Sequence, residues 1–267
     1  MTALSIRENW VGLESNPEVL TEYAHKMGVS KCARRGSEHK TSARVDRAAR
    51  AIAADVCRPR APARSWSFSD VVGLDDELLK FVPAPCVGLV FLYPFSQVES
   101  RKKRLGMQRG VAVPGVWFMD QTVGNACGAV ALMHTVMNCM DTVSKDSSFL
   151  QKFRSDASGV NSRERGDLFG GALRELHDQV SANGQTAAPS PNADLDFHFI
   201  SLVPVNGHLY ELDGNNDGPI DLGPVDDDGF LSAAAAHVKE AYIKHFPEAH
   251  FSLMALGPAQ AKGSAGS

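Results

Sequence analysis

A short stretch near the middle of the chain, residues 121–134, constrains the fold more than any other part of the sequence. It follows an apolar run at residues 117–119 that is typical of the end of a strand. Small and turn-forming residues then lead into apolar residues at helical spacing. Cys127 is therefore predicted to lie at the start of a helix. Unpaired backbone N–H groups and the helix dipole favour an anion there, so they push the thiol towards the nucleophilic thiolate.

Gln121 lies six residues before Cys127. If its side-chain amide and the backbone N–H of Cys127 face the same point, the two donors form an oxyanion hole for acyl transfer. A single cysteine is more often a small buried hydrophobe than a nucleophile. The chemical interpretation therefore needs a base from elsewhere in the chain.

Two strand-like runs further along the chain, residues 196–203 and 208–213, supply a candidate base. They are joined by a short connection that contains Asn-Gly, and they are predicted to pair as a β-hairpin. A four-residue connection puts His198 opposite Asp213, and a two-residue turn shifts the pairing by two residues. Both registers place His198 and Asp213 on one face and His208 on the other, although a three-residue turn would reverse this parity.

Three blocks of the sequence carry these residues, and together they resemble the signature motifs of the ubiquitin carboxyl-terminal hydrolases, the papain-related cysteine deubiquitinases. The blocks are residues 121–128, 195–200 and 207–214. The order Gln, Cys, His and Asp matches the family, as do the spacings of six residues within the first block and fifteen from the histidine to the aspartate. Ala129 departs from the family, which usually has a hydroxyl residue there, but this position lies beyond the catalytic groups.

The resemblance implies an α/β (α+β) fold of the papain type, in which helices flank a central, mostly antiparallel sheet and the chain path is knotted. It implies that Cys127 is the nucleophile and His198 the general base and acid. Asp213 would orient His198, and Gln121 would belong to the oxyanion hole. The implied activity is thiol-dependent hydrolysis after the C-terminal glycine of ubiquitin, which releases small or unstructured adducts. Neither a cofactor nor a metal is implied.

Two other interpretations remain open from the sequence. The first is a ubiquitin-binding protein of low turnover whose triad is intact in sequence but misaligned in space, since catalysis needs alignment to within about an ångström. The second is an unrelated papain-like peptidase or amidase. That class has the same order of Cys, His and Asp, but it does not explain the residues that flank them.

The chain is predicted to be a single catalytic domain over residues 1–267, with three less regular segments. Residues 30–64 hold ten Lys or Arg against three acidic residues, a charge of +7 in a chain of −4, so the remainder carries −11. This asymmetry is typical of a flexible, solvated insertion. The polar residues at 155–166 are assigned by the resemblance to a crossover loop over the active site. Residues 258–267 are predicted to be a disordered tail.

The N-terminal segment resembles the opening of the family's domain, where the corresponding residues contact ubiquitin. Trp10 and Leu13 are therefore candidate substrate-binding residues, with packing in the core as the alternative for both. Ubiquitin is the expected partner, and a close ubiquitin-like modifier is a further candidate. The acidic remainder of the chain suits the arginine-rich tail of ubiquitin, because opposite charge speeds encounter.

The sequence has no apolar run of about 20 residues, and no signal peptide precedes Trp10. We therefore expect a monomeric, cytoplasmic protein, with the nucleus as a second location, that does not bind membranes. The five cysteines are odd in number and form no closely spaced pair, which suits reduced thiols better than disulfides or a zinc site. Nucleic acid is not an expected partner, despite the basic insertion.

Overall fold

The computed structural model describes residues 9–31, 65–96, 98, 110–185, 190 and 195–260. Its helices are α1 (Pro17–Met27), α2 (Asp76–Leu79), α3 (Cys127–Asn138), α4 (Met140–Val143), α5 (Ser148–Asp156), α6 (Ser162–Ser181) and α7 (Phe230–Ala241), with a short 3-10 helix at Ile243–His245. Its strands are β1 (Trp66–Asp70), β2 (Gly88–Pro94), β3 (Phe197–Val205), β4 (His208–Leu212), β5 (Ile220–Pro224) and β6 (Ser252–Pro258).

The strands form one sheet in the order β1-β6-β2-β3-β4-β5, and each neighbouring pair is antiparallel. The predicted α+β class and the mostly antiparallel sheet are therefore confirmed, while the knotted path stays a prediction. β3 lies inside the sheet between β2 and β4. Hydrogen bonds on both edges of β3 hold it in place, which matters because this strand carries His198.

Helices cover both faces of the sheet. On one face, α1, α3, α5 and α6 bury a large core that includes Tyr23, Met119 and Phe169. On the other face, α7 packs against β2, β3 and β6. Helix α3 is buried from its second residue to its penultimate one, because its sequence is apolar on nearly every side, and only its two terminal residues are partly exposed.

The apolar run at residues 117–119 is not a strand, contrary to the prediction. Side chains of α3 bind its backbone instead. The N–H of Trp117 donates to Asn138 Oδ1 at 2.8 Å, and Asn138 Nδ2 donates to the carbonyl of Trp117 at 2.9 Å. One turn earlier in α3, Nε2 of His134 lies 3.1 Å from both the nitrogen and the oxygen of Met119. The helix thus satisfies backbone groups that a neighbouring strand would otherwise have paired.

The prediction of a loop at residues 155–166 is wrong for most of that segment. Helix α5 continues to Asp156 and helix α6 begins at Ser162, so only residues 157–161 connect them. The polar residues there form a capping box. Asn161 Oδ1 accepts from the N–H of Glu164, and Glu164 Oε2 accepts from the N–H of Asn161, both at 2.9 Å. Polar composition marks a helix start here, not an exposed loop.

The other two irregular segments lie mainly outside the described residues. Ser30, the first residue of the predicted insertion, bridges two elements, because its N–H donates to Val143 O and its carbonyl accepts from the N–H of Trp66. Residues 32–64 lie outside the description. At the other end, Pro258 still pairs with Trp66 in the sheet, so the predicted disordered tail does not begin there, and residues 261–267 are again outside.

In the part of the chain that the structure describes, every helix is too short or too polar to cross a membrane. The same residues contain no group of three or more His, Cys, Asp or Glu side chains positioned to hold a metal ion.

Candidate active site

Cys127 is the first residue of α3, and its side chain is half-buried. The helix begins without a side-chain cap, because Ala126 precedes it. Gly128 lets two neighbours approach closely, since a Cβ at this position would lie 3.2 Å from an atom of Leu13 and 3.2 Å from an atom of Phe199. This close fit holds the N-terminal end of α3 against the start of β3 and against the N-terminal segment.

The hairpin of β3 and β4 has the tighter of the predicted registers. Only Asn206 and Gly207 join the two strands, and their φ angles of 51° and 77° are both positive. Two successive positive φ angles are typical of a type I′ turn, whose twist suits a two-residue hairpin. Asp213 then lies opposite Ile200, two residues along the strand from His198 and on the same face.

His198 and Asp213 form a buried pair. Nε2 of His198 lies 2.7 Å from Oδ1 of Asp213, and the two residues are 4% and 2% exposed. The same Oδ1 accepts a hydrogen bond of 2.9 Å from the N–H of Asn215. Because Nε2 is held by Asp213, Nδ1 is the ring nitrogen left for the thiol of Cys127, and the His198 side chain lowers the pKa of that thiol.

The electrostatics of the pair favour the charged form of both reacting groups. Burial alone lowers the pKa of His198, but the charge of Asp213 and the hydrogen bonds to Asp213 and Cys127 outweigh it and raise the pKa to about 10. Burial raises the pKa of Cys127, but the hydrogen bond and charge of His198 hold it below its ordinary value, helped by the backbone of Phe199 and Gly128. A thiolate beside an imidazolium is the form that attacks a carbonyl carbon.

Gln121 is buried next to the hairpin end. Its N–H donates to the carbonyl of Gly214 at 2.8 Å, an approach that only glycine permits, because a Cβ on Gly214 would lie 3.0 Å from Gln121 Cβ. Its Nε2 donates to the carbonyl of Val123 at 3.1 Å. An amide nitrogen carries two hydrogens, so one N–H of Gln121 remains for another acceptor.

Two aromatic residues around His198 were not predicted from the sequence. Tyr93 pairs with His198 across β2 and β3, and their rings meet edge to face with centroids 5.6 Å apart. Phe95 makes a second edge contact at 5.2 Å. These rings shield the imidazole and hold its plane. The apolar run of β2 was visible in the sequence, but the pairing of β2 with β3 was not.

A cavity of about 380 Å³ lies beside Cys127. Residues 12–15 form one wall, and Leu195, Phe197 and Phe199 contribute to the other. Leu13 therefore lines the cavity beside Cys127. Trp10 is 1% exposed and packs against Phe169 and His177. Contact of either residue with substrate stays a prediction, and for Trp10 the burial favours the alternative of core packing.

The end of α6 and the residues just before β3 border this cavity, in contrast to residues 155–166. Ser181, at the end of α6, and Leu195, just before β3, both line the cavity. Ser162 and Arg165 instead bind the backbone before Gln121, through contacts to Asp120 N–H and to the carbonyl of Phe118 at 3.0 Å each.

Comparisons with known proteins agree with this geometry. The model of the family described as ubiquitin carboxyl-terminal hydrolase, family 1, matches residues 60–244. Ubiquitin carboxyl-terminal hydrolase isozyme L1 of Rattus norvegicus is 38% identical over 200 residues, which cover 73% of this chain and 88% of the relative. A ubiquitin carboxyl-terminal hydrolase of Aplysia californica is 31% identical over 252 residues, covering 92% of this chain and 100% of the relative.

Among solved structures, the catalytic domain of UCH37 from Trichinella spiralis, bound to ubiquitin vinyl methyl ester, has a similar fold. The two chains superpose with a TM-score of 0.67 at 24% identity, and the match covers 96% of this chain and 98% of the other. At this identity the similarity supports the fold.

Proposed function

This chain belongs to family 1 of the ubiquitin carboxyl-terminal hydrolases and is a cysteine-type deubiquitinase; from that premise we propose that Cys127 is its nucleophile and that His198, Asp213 and Gln121 complete the catalytic machinery. The observation that carries this assignment is the buried contact of 2.7 Å between His198 and Asp213, together with the effect of His198 on Cys127, whose pKa it holds below the ordinary value. A nucleophile, its base and a group that orients the base are the three parts that such a reaction needs.

In the proposed mechanism, Sγ of Cys127 attacks the carbonyl carbon of the C-terminal glycine of ubiquitin. The oxyanion is stabilised by the backbone N–H of Cys127 and by the remaining N–H of Gln121. His198 gives its proton to the leaving amine or thiol, so the C–N or C–S bond breaks and a thioester remains. His198 then takes a proton from water, which attacks the thioester and releases ubiquitin and the thiolate. Asp213 holds the imidazole in one orientation throughout.

The shape of the cavity supports ubiquitin's glycine-glycine end as the substrate. The site is a cavity of about 380 Å³ between residues 12–15 and the start of β3, which suits an extended chain with small side chains. A folded domain cannot enter a space of this size. We therefore expect small or unstructured adducts to be released faster than large folded ones, and a ubiquitin-like modifier to be accepted only if its end is equally slender.

A ubiquitin-binding protein of low turnover is the alternative function. It requires a triad whose members are apart, whereas His198 contacts Asp213 at 2.7 Å and lies close enough to Cys127 to lower the pKa of its thiol. This contact favours turnover. The two functions differ in a steady-state assay, because only an aligned triad gives more than one product molecule per enzyme.

We further propose that the protein acts as a monomer in the cytoplasm, with the nucleus as a second location. The three described cysteines are unpaired, as expected of a reducing compartment. Light scattering of the purified chain and cell fractionation test the two parts separately. A stable dimer, or a protein confined to a membrane fraction, would contradict them.

The central experiment uses ubiquitin that carries a C-terminal electrophile. The intact mass of the wild-type chain should increase by one ubiquitin, and Cys127→Ala should show no increase. Cys139→Ala is the matched control, because burial raises the pKa of this thiol to about 12 and leaves it unreactive. Turnover of ubiquitin linked to a short peptide, compared with ubiquitin linked to a folded domain, then tests the size limit. No adduct from a folded wild-type protein would refute the assignment.

A further inference from the structure

The N-terminal wall of the active-site cavity is held to the rest of the protein by a few polar contacts. The N–H of Trp10 donates to the carbonyl of Gly124 at 2.8 Å. At the last residue of the wall, the hydroxyl of Ser15 donates to that of Ser252 at 2.9 Å. Between them, Nε2 of His177 lies 2.6 Å from the carbonyl of Val11, the residue directly before the wall.

We propose that His177 is a positioning residue for substrate binding: its Nε2–H fixes the carbonyl of Val11 and thereby the wall of residues 12–15 beside Cys127. The inference deepens the proposed function and rests on it, because the wall matters only if a ubiquitin tail binds there. His177 does not touch the reacting atoms. It acts through the backbone of the N-terminal segment.

The environment of His177 makes this contact more than an incidental hydrogen bond. The residue is 0% exposed and lies on α6. Its ring contacts Trp10 at 4.4 Å between centroids, and the ring of Phe169 holds Trp10 from another side at 5.6 Å. The imidazole is therefore fixed against the residue that precedes Val11. The hydrogen bond to Val11 is partly buried, so solvent could replace a lost donor only in part.

The second ring nitrogen indicates which tautomer is present. Nδ1 of His177 and the hydroxyl of Tyr23 are both buried, and neither has a hydrogen-bond partner among the described residues. The two rings meet edge to face, with centroids 5.9 Å apart. If Nε2 donates to Val11, Nδ1 is an acceptor, and a hydroxyl is the complementary donor. An Nδ1 without a bound proton is the arrangement of the neutral imidazole.

The charge state agrees with this assignment. Burial lowers the pKa of His177, and this effect outweighs the hydrogen bond to Val11 and the charge of Asp178, which raise it. Arg174, one turn earlier on α6, lowers it further. From α1, the group that faces the ring is Tyr23, whose pKa is raised by burial and which is therefore uncharged. His177 is thus neutral at physiological pH and donates through a single nitrogen.

The consequence for catalysis is specific. The contacts among Cys127, His198 and Asp213 do not involve His177. Loss of the hydrogen bond between His177 and Val11 should therefore leave the reactivity of the Cys127 thiol unchanged. The wall would instead move, and the substrate tail would meet a less ordered groove. Preorganised walls reduce the ordering cost of binding. The rate of capture by a ubiquitin electrophile should therefore fall, while alkylation of Cys127 by a small reagent should not.

The test compares two amides that differ in reach. In His177→Gln the amide nitrogen extends about as far as Nε2 and can still donate to Val11 O. In His177→Asn it stops one methylene short. His177→Phe keeps the ring packing and removes the donor. We expect the second-order rate of capture by ubiquitin with a C-terminal electrophile to fall about tenfold for Asn and Phe, as for loss of a partly buried hydrogen bond. It should stay within about threefold of the wild type for Gln.

Three controls separate the possible outcomes. Alkylation of Cys127 by iodoacetamide should be unchanged in all three variants, and steady-state turnover should show a raised KM with kcat little altered. Val238→Ala, on α7 at the other face of the sheet, provides a comparable loss of thermal stability without touching the wall. Equal capture rates for Gln and Asn, or a parallel loss in Val238→Ala, would overturn the inference. A wild-type chain that is not captured at all would instead refute the proposed function.

Discussion

Replacing Asp213 with Asn tests the electrostatic part of the mechanism with little change of shape. In the native site Oδ1 accepts from both His198 Nε2 and the N–H of Asn215. An Asn side chain can keep an oxygen at that position, but it removes the negative charge and replaces the other carboxylate oxygen with an NH2 group. The imidazolium of His198 then loses the main group that stabilises it, and the thiolate of Cys127 loses its positive neighbour in turn.

The size of the effect follows from the pKa of His198. The difference between about 10 and the ordinary 6.5 corresponds to on the order of 5 kcal/mol, and Asp213 provides the largest of the causes that raise it, with Cys127 supplying the rest. If half or more of that free energy is lost, kcat/KM should fall by about 100- to 10,000-fold. The assay for kcat/KM is the hydrolysis of a fluorogenic amide attached to the C terminus of ubiquitin.

The pH dependence of kcat/KM in the same variant provides a second, independent test of the mechanism. In Asp213→Asn the pKa of His198 falls and that of Cys127 rises, so the pH range in which thiolate and imidazolium coexist should narrow from both ends. Asp221→Asn is the matched control, because Asp221 forms an exposed pair with His208 at 3.0 Å on the same part of the sheet. An Asp213→Asn enzyme within threefold of the wild type, with an unchanged profile, would refute the reasoning.

Three further predictions concern the surroundings of the triad. Gln121→Ala should lower kcat by about 100- to 1000-fold with little change in KM, since the lost donor acts on the oxyanion, and single-turnover kinetics measure this. Gly128→Ala should lower the free energy of unfolding in urea by about 1–3 kcal/mol, because the new Cβ would press on Leu13 and Phe199. Gly171→Ala is the control: its Cβ would have no neighbour within 4 Å, so the substitution should be neutral or stabilising. Burial lowers the pKa of His134 to about 4, so below pH 6.5 the unfolded chain binds a proton on this residue and the folded chain does not. The free energy of unfolding should therefore fall by up to roughly 3 kcal/mol between pH 6.5 and 4. His134→Gln should reduce this dependence of stability on pH.

The triad was predictable because each part has a local sequence basis. Strand parity alone placed His198 and Asp213 on one face in two of the possible hairpins, and the Asn-Gly pair then formed the tighter turn. Cys127 was predictable as a helix start from the small residues before it. These inferences needed only the pairing of two consecutive strands in a hairpin, and not the order of the strands in the whole sheet.

The surroundings of the site were not predictable in the same way, because they depend on contacts between distant parts of the chain. Tyr93 meets His198 through the pairing of β2 with β3, which more than a hundred residues separate. The segment at 117–119 has strand-like residues, but side chains of α3 bind its backbone. The polar residues near Asn161 were misinterpreted as a loop, since capping residues and loop residues have the same composition.

Two pairs of His and Asp on neighbouring strands show why burial decides the chemistry. His198 with Asp213 and His208 with Asp221 have similar contact distances of 2.7 and 3.0 Å. The side chains of the first pair are 5% and 2% exposed, and those of the second are 42% and 45% exposed. Water screens the exposed pair, so it contributes little beyond local structure. In the buried pair the carboxylate has no competing solvent, and its charge acts on the imidazole that faces Cys127. The same two residue types therefore form a surface contact at one position and the proposed catalytic pair at the other.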